Sequence, residues 1–379
     1  MTDTGKPEGS AQPDDSAPRS APARLLRRPA VRVAIVAGLV GALLGAGLVA
    51  WRTDTLPWGG SKPCWDSLDD TTLTALVGEG RTVAEEQTLF QRGSSGRCRV
   101  TAYGVKHPDR ISERLHVNVH WLDTQSGPAA DGWHEEFLRS GMTPLGDGLP
   151  GMVSTSHAWL RLPQGCIGTG NLAVVDIDAA RMDSDARQAA EQDALARAVV
   201  HTTNGVMRAY GCTERYALPE KLPGQAEWQR VDPDALCGIK DLALPADRRD
   251  EEVLDRTRSR VGGAEGPARV CGVGWLRRDD LRFTTVADPE LAKIFHSEAP
   301  NGLPGIVGTR GRGSLTHARA EYEVSCQTGT VVFMAENRDL FGQKNLLRDL
   351  FPAYVAAEAD RIGCGPLEIT EMPGFGEKG

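Results

Sequence analysis

Apolar and polar positions in this chain follow two periods, and the order in which they switch repeats once. Within Leu115–Leu122, Val117, Val119 and Trp121 alternate with His116, Asn118 and His120, the period-two pattern of a half-buried antiparallel strand. Cys98–Val105, His157–Leu162 and Asn171–Ile177 also read as strands. A helical period governs Ser67–Val77, where Asp69 and Asp70 near the start suit the helix dipole, and Asp131–Arg139. It returns over Asp185–Tyr210, whose Leu195, Val199, Thr203, Val206, Met207 and Tyr210 share one face. The second half runs through the same series. Strands are predicted at Arg269–Leu276, Leu281–Val286, Ala318–Ser325 and Thr330–Ala335, then a helix over Lys344–Ile362 with Leu347, Phe351, Tyr354 and Val355 as its buried stripe. Each half is therefore expected to be α+β, an antiparallel sheet covered by helices.

Landmarks inside the halves support a tandem duplication. Cys64 to Cys98 and Cys237 to Cys271 are both intervals of 34 residues. Asp147–Val153 (DGLPGMV) is echoed by Asn301–Val307 (NGLPGIV), and Ser154–Cys166 by Ser314–Cys326, with His157 and His317 at matching places before the cysteine. On that alignment GTRGRG (Gly308–Gly313) is an insertion in the second copy. Each half closes on Gly-Cys, at Gly211-Cys212 and Gly363-Cys364. The expected copies are residues 62–214 and 235–366, joined by a linker, 215–234, that holds Pro219, Pro223 and Pro233. Such a short, Pro-rich linker should keep the copies close.

One segment follows neither period. Val33–Trp51 is 19 residues without a charge, enough as a helix to cross a bilayer core. Arg24, Arg27, Arg28 and Arg32 precede it, which places the N-terminal side in the cytoplasm. The competing reading is a cleaved signal peptide. Against it stand the long lead of residues 1–32 and the lack of an A-x-A site before Trp51. Residues 1–32 are then a disordered cytoplasmic tail, 52–61 a tether and 367–379 a disordered end. The spacing Gly41-x-x-x-Gly45 suits a homodimer through this helix.

All eight cysteines, Cys64, Cys98, Cys166, Cys212, Cys237, Cys271, Cys326 and Cys364, follow the span, as expected of disulfides on the exported side. The recurring intervals favour Cys64–Cys98, Cys166–Cys212, Cys237–Cys271 and Cys326–Cys364, although four cysteines in a copy allow three connectivities. The chain carries a net charge of −8, which argues against nucleic acid as a partner.

Reactive motifs fail on geometry. His116 and His120 lie about 13 Å apart on a strand, too far to share one ion, so they read as a polar outer face. His134-Glu135-Glu136 lacks a zincin's second histidine, Ser94 and Ser95 lack nucleophile-elbow spacing, and no C-x-x-C pair exists. Gly308, Gly311 and Gly313, with Arg310 and Arg312, imitate a phosphate loop but are placed between strands, not before a helix. No cofactor or metal is expected. His157 and His317 remain as candidates to line a ligand cleft, with a structural role at the strand entry as the alternative.

The opening PCWDSLDDTTLTALVGEG, followed by GRCRV and an alternating strand, resembles actinobacterial secreted lipoproteins of unknown function. Those are similar to the extracytoplasmic sensor domain of PknH-type receptor kinases. The resemblance implies an α+β fold with two disulfides per copy and an extracytoplasmic site, and it supplies no catalytic residue. The chain departs from it by lacking a lipobox and a kinase domain and by holding two copies. The expected function is that of a single-pass, membrane-anchored binding or sensing protein of the bacterial cell envelope, not an enzyme. The alternative is a structural partner in an envelope complex. Cysteine-accessibility labelling on intact cells should reach a probe at the C-terminus and miss one near Thr4; the opposite pattern would reverse the topology.

Overall fold

The described residues of this computed structural model are 62–371, without 90–94, 123–127, 169–170, 181–187, 276–277, 296–304, 339 and 342–344. Residues 1–61, which include Val33–Trp51, and 372–379 and Asn301–Pro304 therefore lie outside them. The expected disordered end at 367–379 is wrong over its first residues, because Leu367 is buried in the second core and Ile369–Glu371 add a strand beside Gly305–Gly308. No helix among the described residues is long and apolar enough to cross a membrane.

The first copy contains seven strands and three principal helices. In chain order these are α1 (Asp70–Val77), β1 (Arg81–Glu86), β2 (Gly96–Tyr103), β3 (Ile111–Trp121), α2 (Pro128–Phe137), β4 (Thr143–Pro144), β5 (Gly151–Val153), β6 (His157–Arg161), β7 (Ala173–Ala180) and α3 (Gln188–Ala209). The linker contributes β8 (Gln229–Arg230), and the second copy follows with α4 (Glu251–Arg256), β9 (Arg258–Gly262), β10 (Ala268–Gly274), β11 (Leu281–Val286), α5 (Pro289–Ala292), β12 (Gly305–Gly308), β13 (Gly311–Leu315), β14 (Arg319–Cys326), β15 (Gly329–Asn337) and α6 (Leu346–Arg361), with β16 (Ile369–Glu371) after it. Sheet 1 has the order β1-β2-β3-β7-β6-β5-β4. Sheet 2, read from β9, has the order β9-β10-β11-β15-β14-β13-β12, with β8 and β16 added at its ends. The strand order is the same in the two antiparallel sheets, which fits the internal repeat expected from the sequence.

The cysteines pair within each copy as Cys64–Cys98, Cys166–Cys212, Cys237–Cys271 and Cys326–Cys364. The closing Gly-Cys has a backbone reason. Gly211 and Gly363 take left-handed φ of 71° and 70° just past the helix. The next N–H, of Cys212 or Cys364, then bonds back to Met207 O or Ala359 O at 2.8 Å, the Schellman closure that only glycine permits without strain. The first cysteine of each copy is itself left-handed, at φ 58° for Cys64 and 62° for Cys237. In the first copy Trp65 and Asp66 continue that run, which costs about 1–2 kcal/mol per residue. Trp65 offsets it by donating its backbone N–H to Glu86 at 2.7 Å and its indole N–H to Gln87 O at 2.9 Å.

Two landmarks prove to be out of register. Ser154 hydroxyl accepts from His157 N–H at 3.0 Å, and Thr316 hydroxyl accepts from Arg319 N–H at 2.9 Å, the same turn in both copies. His157 pairs with Asp178 and Arg319 with Glu336. The counterpart of His157 is thus Arg319, and His317 belongs to the exposed turn before it. Likewise, the first DGLPGMV forms the β4–β5 turn and β5, whereas Gly305–Val307 of its echo lies in β12, one strand earlier. GTRGRG is no insertion; it is the end of β12, a tight turn and the start of β13.

Strand alternation sends one face of each sheet to its own long helix. Leu115, Val117, Val175 and Ile177 join Leu195, Val199 and Val206 of α3 in one core, and Phe283, Tyr322 and Phe333 join Leu347, Phe351 and Tyr354 of α6 in another. The opposite faces meet each other. A third core unites Trp133, Phe137, Met152, Trp159 and Val174 of the first copy with Val270, Val286, Leu291, Phe295, Val332 and Met334 of the second. Here Trp133 stacks on Phe137 at 5.2 Å, with Trp159 and Phe295 against it at 5.9 and 5.8 Å. The linker is docked as well: Tyr216 O–H donates to Arg161 O at 2.9 Å, Trp228 lies under Arg260 at 4.3 Å, and β8 pairs with β9. Trp159 is wholly buried and its indole N–H donates to Phe137 O at 2.9 Å. Trp159→Ala should cost about 3–5 kcal/mol. In urea this should move one common transition; a new, separate transition would mean the copies fold independently.

Candidate functional site

The seam between the sheets holds two clusters of buried titratable groups. Asp176 points to the seam because its β7 neighbours Val175 and Ile177 point to the helix side. His120 Nε2 lies 2.6 Å from its Oδ1, His157 Nε2 lies 3.6 Å from its Oδ2, and Asn118 donates an amide N–H to Oδ2 at 3.4 Å. Phe137 of α2 packs against both imidazoles, at 5.6 Å from His120 and 5.1 Å from His157. Burial alone would raise the Asp176 pKa, but the two histidines outweigh it and hold the carboxyl below its ordinary value. Burial opposes protonation of His120, and the bond to Asp176 more than compensates, so its pKa is raised.

A second group spans the two copies. His134 of α2 is fully buried, with Nδ1 3.1 Å from Arg282 Nη2 and 3.2 Å from Glu336 Oε1, and Nε2 3.1 Å from Thr284 Oγ1. Arg282 also pairs with Glu336. His134 Nδ1 thus faces both a donor, the Arg282 guanidinium, and an acceptor, the Glu336 carboxylate, and the ring's tautomer decides which of the two it bonds. Burial, then the neighbouring Arg282 charge, lower the His134 pKa. Burial works against ionisation of Glu336, yet its bond to His134 and the Arg282 charge hold it well below the carboxylate range. Nearby, Ser140 donates to Asp279 at 2.6 Å and accepts from Arg260 Nε at 2.6 Å, another tie across the seam.

The His120–Asp176–His157 cluster lies within the first copy against Phe137, whereas the His134 and Ser140 groups bond across the seam and join the copies. Among the described residues no three His, Cys, Asp or Glu side chains are arranged to hold a metal ion. The accessible feature at the seam is a groove of about 380 Å³. The β4–β5 turn supplies Asp147, Leu149 and Pro150, the linker Pro223, and the second copy Glu265 and Asp288. Asp288 caps α5 by accepting from Leu291 N–H at 3.1 Å and pairs with Arg161 at 3.2 Å; Asp147 accepts from Glu220 N–H at 2.8 Å. The wall is thus proline-rich and its charges are carboxylates. Neither His157 nor His317 lines it.

Sequence reasoning missed Asp176, His120, His134, Arg282 and Glu336 as a set. One signal was available: Asp176 interrupts the apolar run Ala173–Ile177, where a solvent-facing position would have been expected on one side only. The chain matches no known protein family, no curated protein and no solved structure.

The lowered His134 pKa has a testable sign. Above the unfolded histidine value of about 6.5 neither state binds the proton; below it the unfolded chain does and the folded one resists. Stability should therefore fall with acidification, by at most about 1.4 kcal/mol per pH unit for one proton, until the folded pKa is reached. His134→Gln keeps a polar side chain able to donate and accept near Thr284 and Arg282 but cannot titrate. Its stability deficit relative to the parent, measured by urea unfolding from pH 8 to 5, should shrink as pH drops below about 6.5. A constant deficit would mean that His134 titrates normally. The raised pKa of His120 acts with the opposite sign, present at low pH and lost as pH rises, and cancels in this comparison.

Proposed function

We propose that the protein is a membrane-anchored, extracytoplasmic binding or sensing module of the bacterial cell envelope, acting by binding and not by catalysis. The observation that carries this reading is the groove at the seam, built from both copies and the linker. A duplicated scaffold presents there a surface that neither copy has alone. Four disulfides support an oxidising compartment, and the Arg-flanked segment Val33–Trp51 supports anchoring. Kinship with the sensor domains of PknH-type kinases remains part of this proposal, through the shared Cys-led opening and two disulfides per copy. With Asp147, Glu265 and Asp288 at the rim and proline rings as walls, the groove suits an extended ligand that carries an amine or guanidinium.

Full-length protein in detergent, screened by thermal shift against cationic envelope peptides, should give a stabilising hit. Asp147 is left-handed at φ 50°, a conformation asparagine adopts readily. Asp147→Asn with Glu265→Gln should therefore weaken the hit while leaving the unliganded melting temperature in place. Unchanged affinity would remove the groove from the reading, and reproducible turnover of any screened compound would overturn the non-enzymatic assignment.

A further inference from the structure

Sheet 2 carries an added strand at each end, and the comparison exposes what sheet 1 lacks. Strand β9 is flanked by β8, with Gln229 opposite Ser259 and Arg230 opposite Arg258. Cys271 pairs with Val261 and Cys98 with Glu86, so Arg258 and Ser259 are the counterparts of Val83 and Ala84 in β1. This edge of the fold is therefore one that accepts a strand. Among the described residues β1 has none on its outer side, and all six of its residues are exposed, Val83 at 38%.

We infer that β1 is the surface through which two copies of this chain associate, by antiparallel pairing of β1 with β1. Register decides the partner. Gln87 N–H bonds inward to Arg97 O at 2.9 Å. By strand alternation Arg81, Val83 and Glu85 give their main-chain groups to β2, and Thr82, Ala84 and Glu86 turn theirs outward. Two-fold pairing that joins outward groups is centred on a single residue, so the two central registers fall on Val83 or Ala84. Centring on Ala84 sets Val83 against the second copy's Glu85. Centring on Val83 sets Val83 against Val83 and both Arg81 side chains against the second copies' Glu85, on one face. Charges on a bare edge ordinarily discourage pairing; in this register they select it. The sequence Arg81-Thr82-Val83-Ala84-Glu85 is complementary to itself in the antiparallel sense. The Gly41-x-x-x-Gly45 spacing favours the same stoichiometry by an independent route.

The test uses the full chain. No described cysteine is free, so an introduced one supplies the reactive thiol. In the Val83 register the two Val83 residues form a non-hydrogen-bonded pair, the closer kind, and Val83→Cys should give a covalent dimer on mild oxidation. Ile111→Cys, as exposed but two strands in from the edge, should not. Ala84→Pro removes an outward N–H and no bond to β2, so in the Val83→Cys background it should abolish the crosslink without lowering the melting temperature. Equal crosslinking at Val83 and Ile111, or a crosslink that survives Ala84→Pro, would overturn the proposal. So would a dilute monomer whose Thr82 and Ala84 amides resist exchange, since another segment of the same chain would then occupy the edge.

Discussion

A sheet with two apolar faces needs two covers, and each copy of this chain brings one long helix. That shortage explains the architecture. Helix α3 covers one face of sheet 1 and α6 one face of sheet 2; the remaining faces, with Trp159, Val174, Val332 and Met334, are covered by each other. Each buried large apolar side chain contributes about 1.5–3 kcal/mol relative to exposure, so a copy standing alone would leave the seam side chains as an apolar surface in water. The polar groups embedded there add direction. His134 with Arg282 and Glu336, and Ser140 with Asp279 and Arg260, bond only when the two copies sit in one orientation. Buried polar sets of this kind serve specificity more than stability.

The disulfides act elsewhere. Each closes within a copy, and in each copy one of them ties the end of the long helix back to the rest of the copy, to the short helix Gln164–Ile167 in the first and to the end of β14 in the second. The seam is therefore held without covalent help. Beneath the helices the copies have diverged. Glu358 of α6 is buried and accepts from Arg269 at 2.7 Å, Arg361 at 2.8 Å and Thr285 at 2.9 Å. Counting back from the shared Gly-Cys, the first copy has Val206 at that place. The second copy thus anchors its helix by a buried ion network, whereas the first uses neutral bonds, Gln192 to Thr143 at 2.6 Å and Ser67 to Thr202 at 3.2 Å.

What could be read from the sequence is what local physics dictates. The helical stripes at Leu195–Tyr210 and Leu347–Val355, the strands around Val117 and Phe283, the cysteine intervals and the closing Gly-Cys all follow from periodicity or from a single backbone requirement. The seam could not be read this way. His116, Asn118 and His120 alternate with valines as they would on a solvent-facing strand, and alternation does not distinguish water from a second sheet. The His157–His317 match failed because the first copy has two more residues between its turn and its cysteine: Ser154 to Cys166 is longer than Thr316 to Cys326. Aligning on the cysteines shifted the strands. Leu-Pro-Gly, a frequent turn sequence, then fell on two different strands. Strands β1, β9, β12 and β13 escaped notice because they are short, charged or glycine-rich, and are specified by their neighbours rather than by their own pattern.

The central claim is that two copies fold as one body around a shared core, and native-state hydrogen exchange tests it most directly. Amides in the centre of β7, at Val174–Ile177, and in β11 and β15, at Phe283–Thr285 and Val332–Met334, should exchange with one common free energy and respond together to added denaturant. Two distinct values, with the second copy opening while the first stays protected, would contradict it.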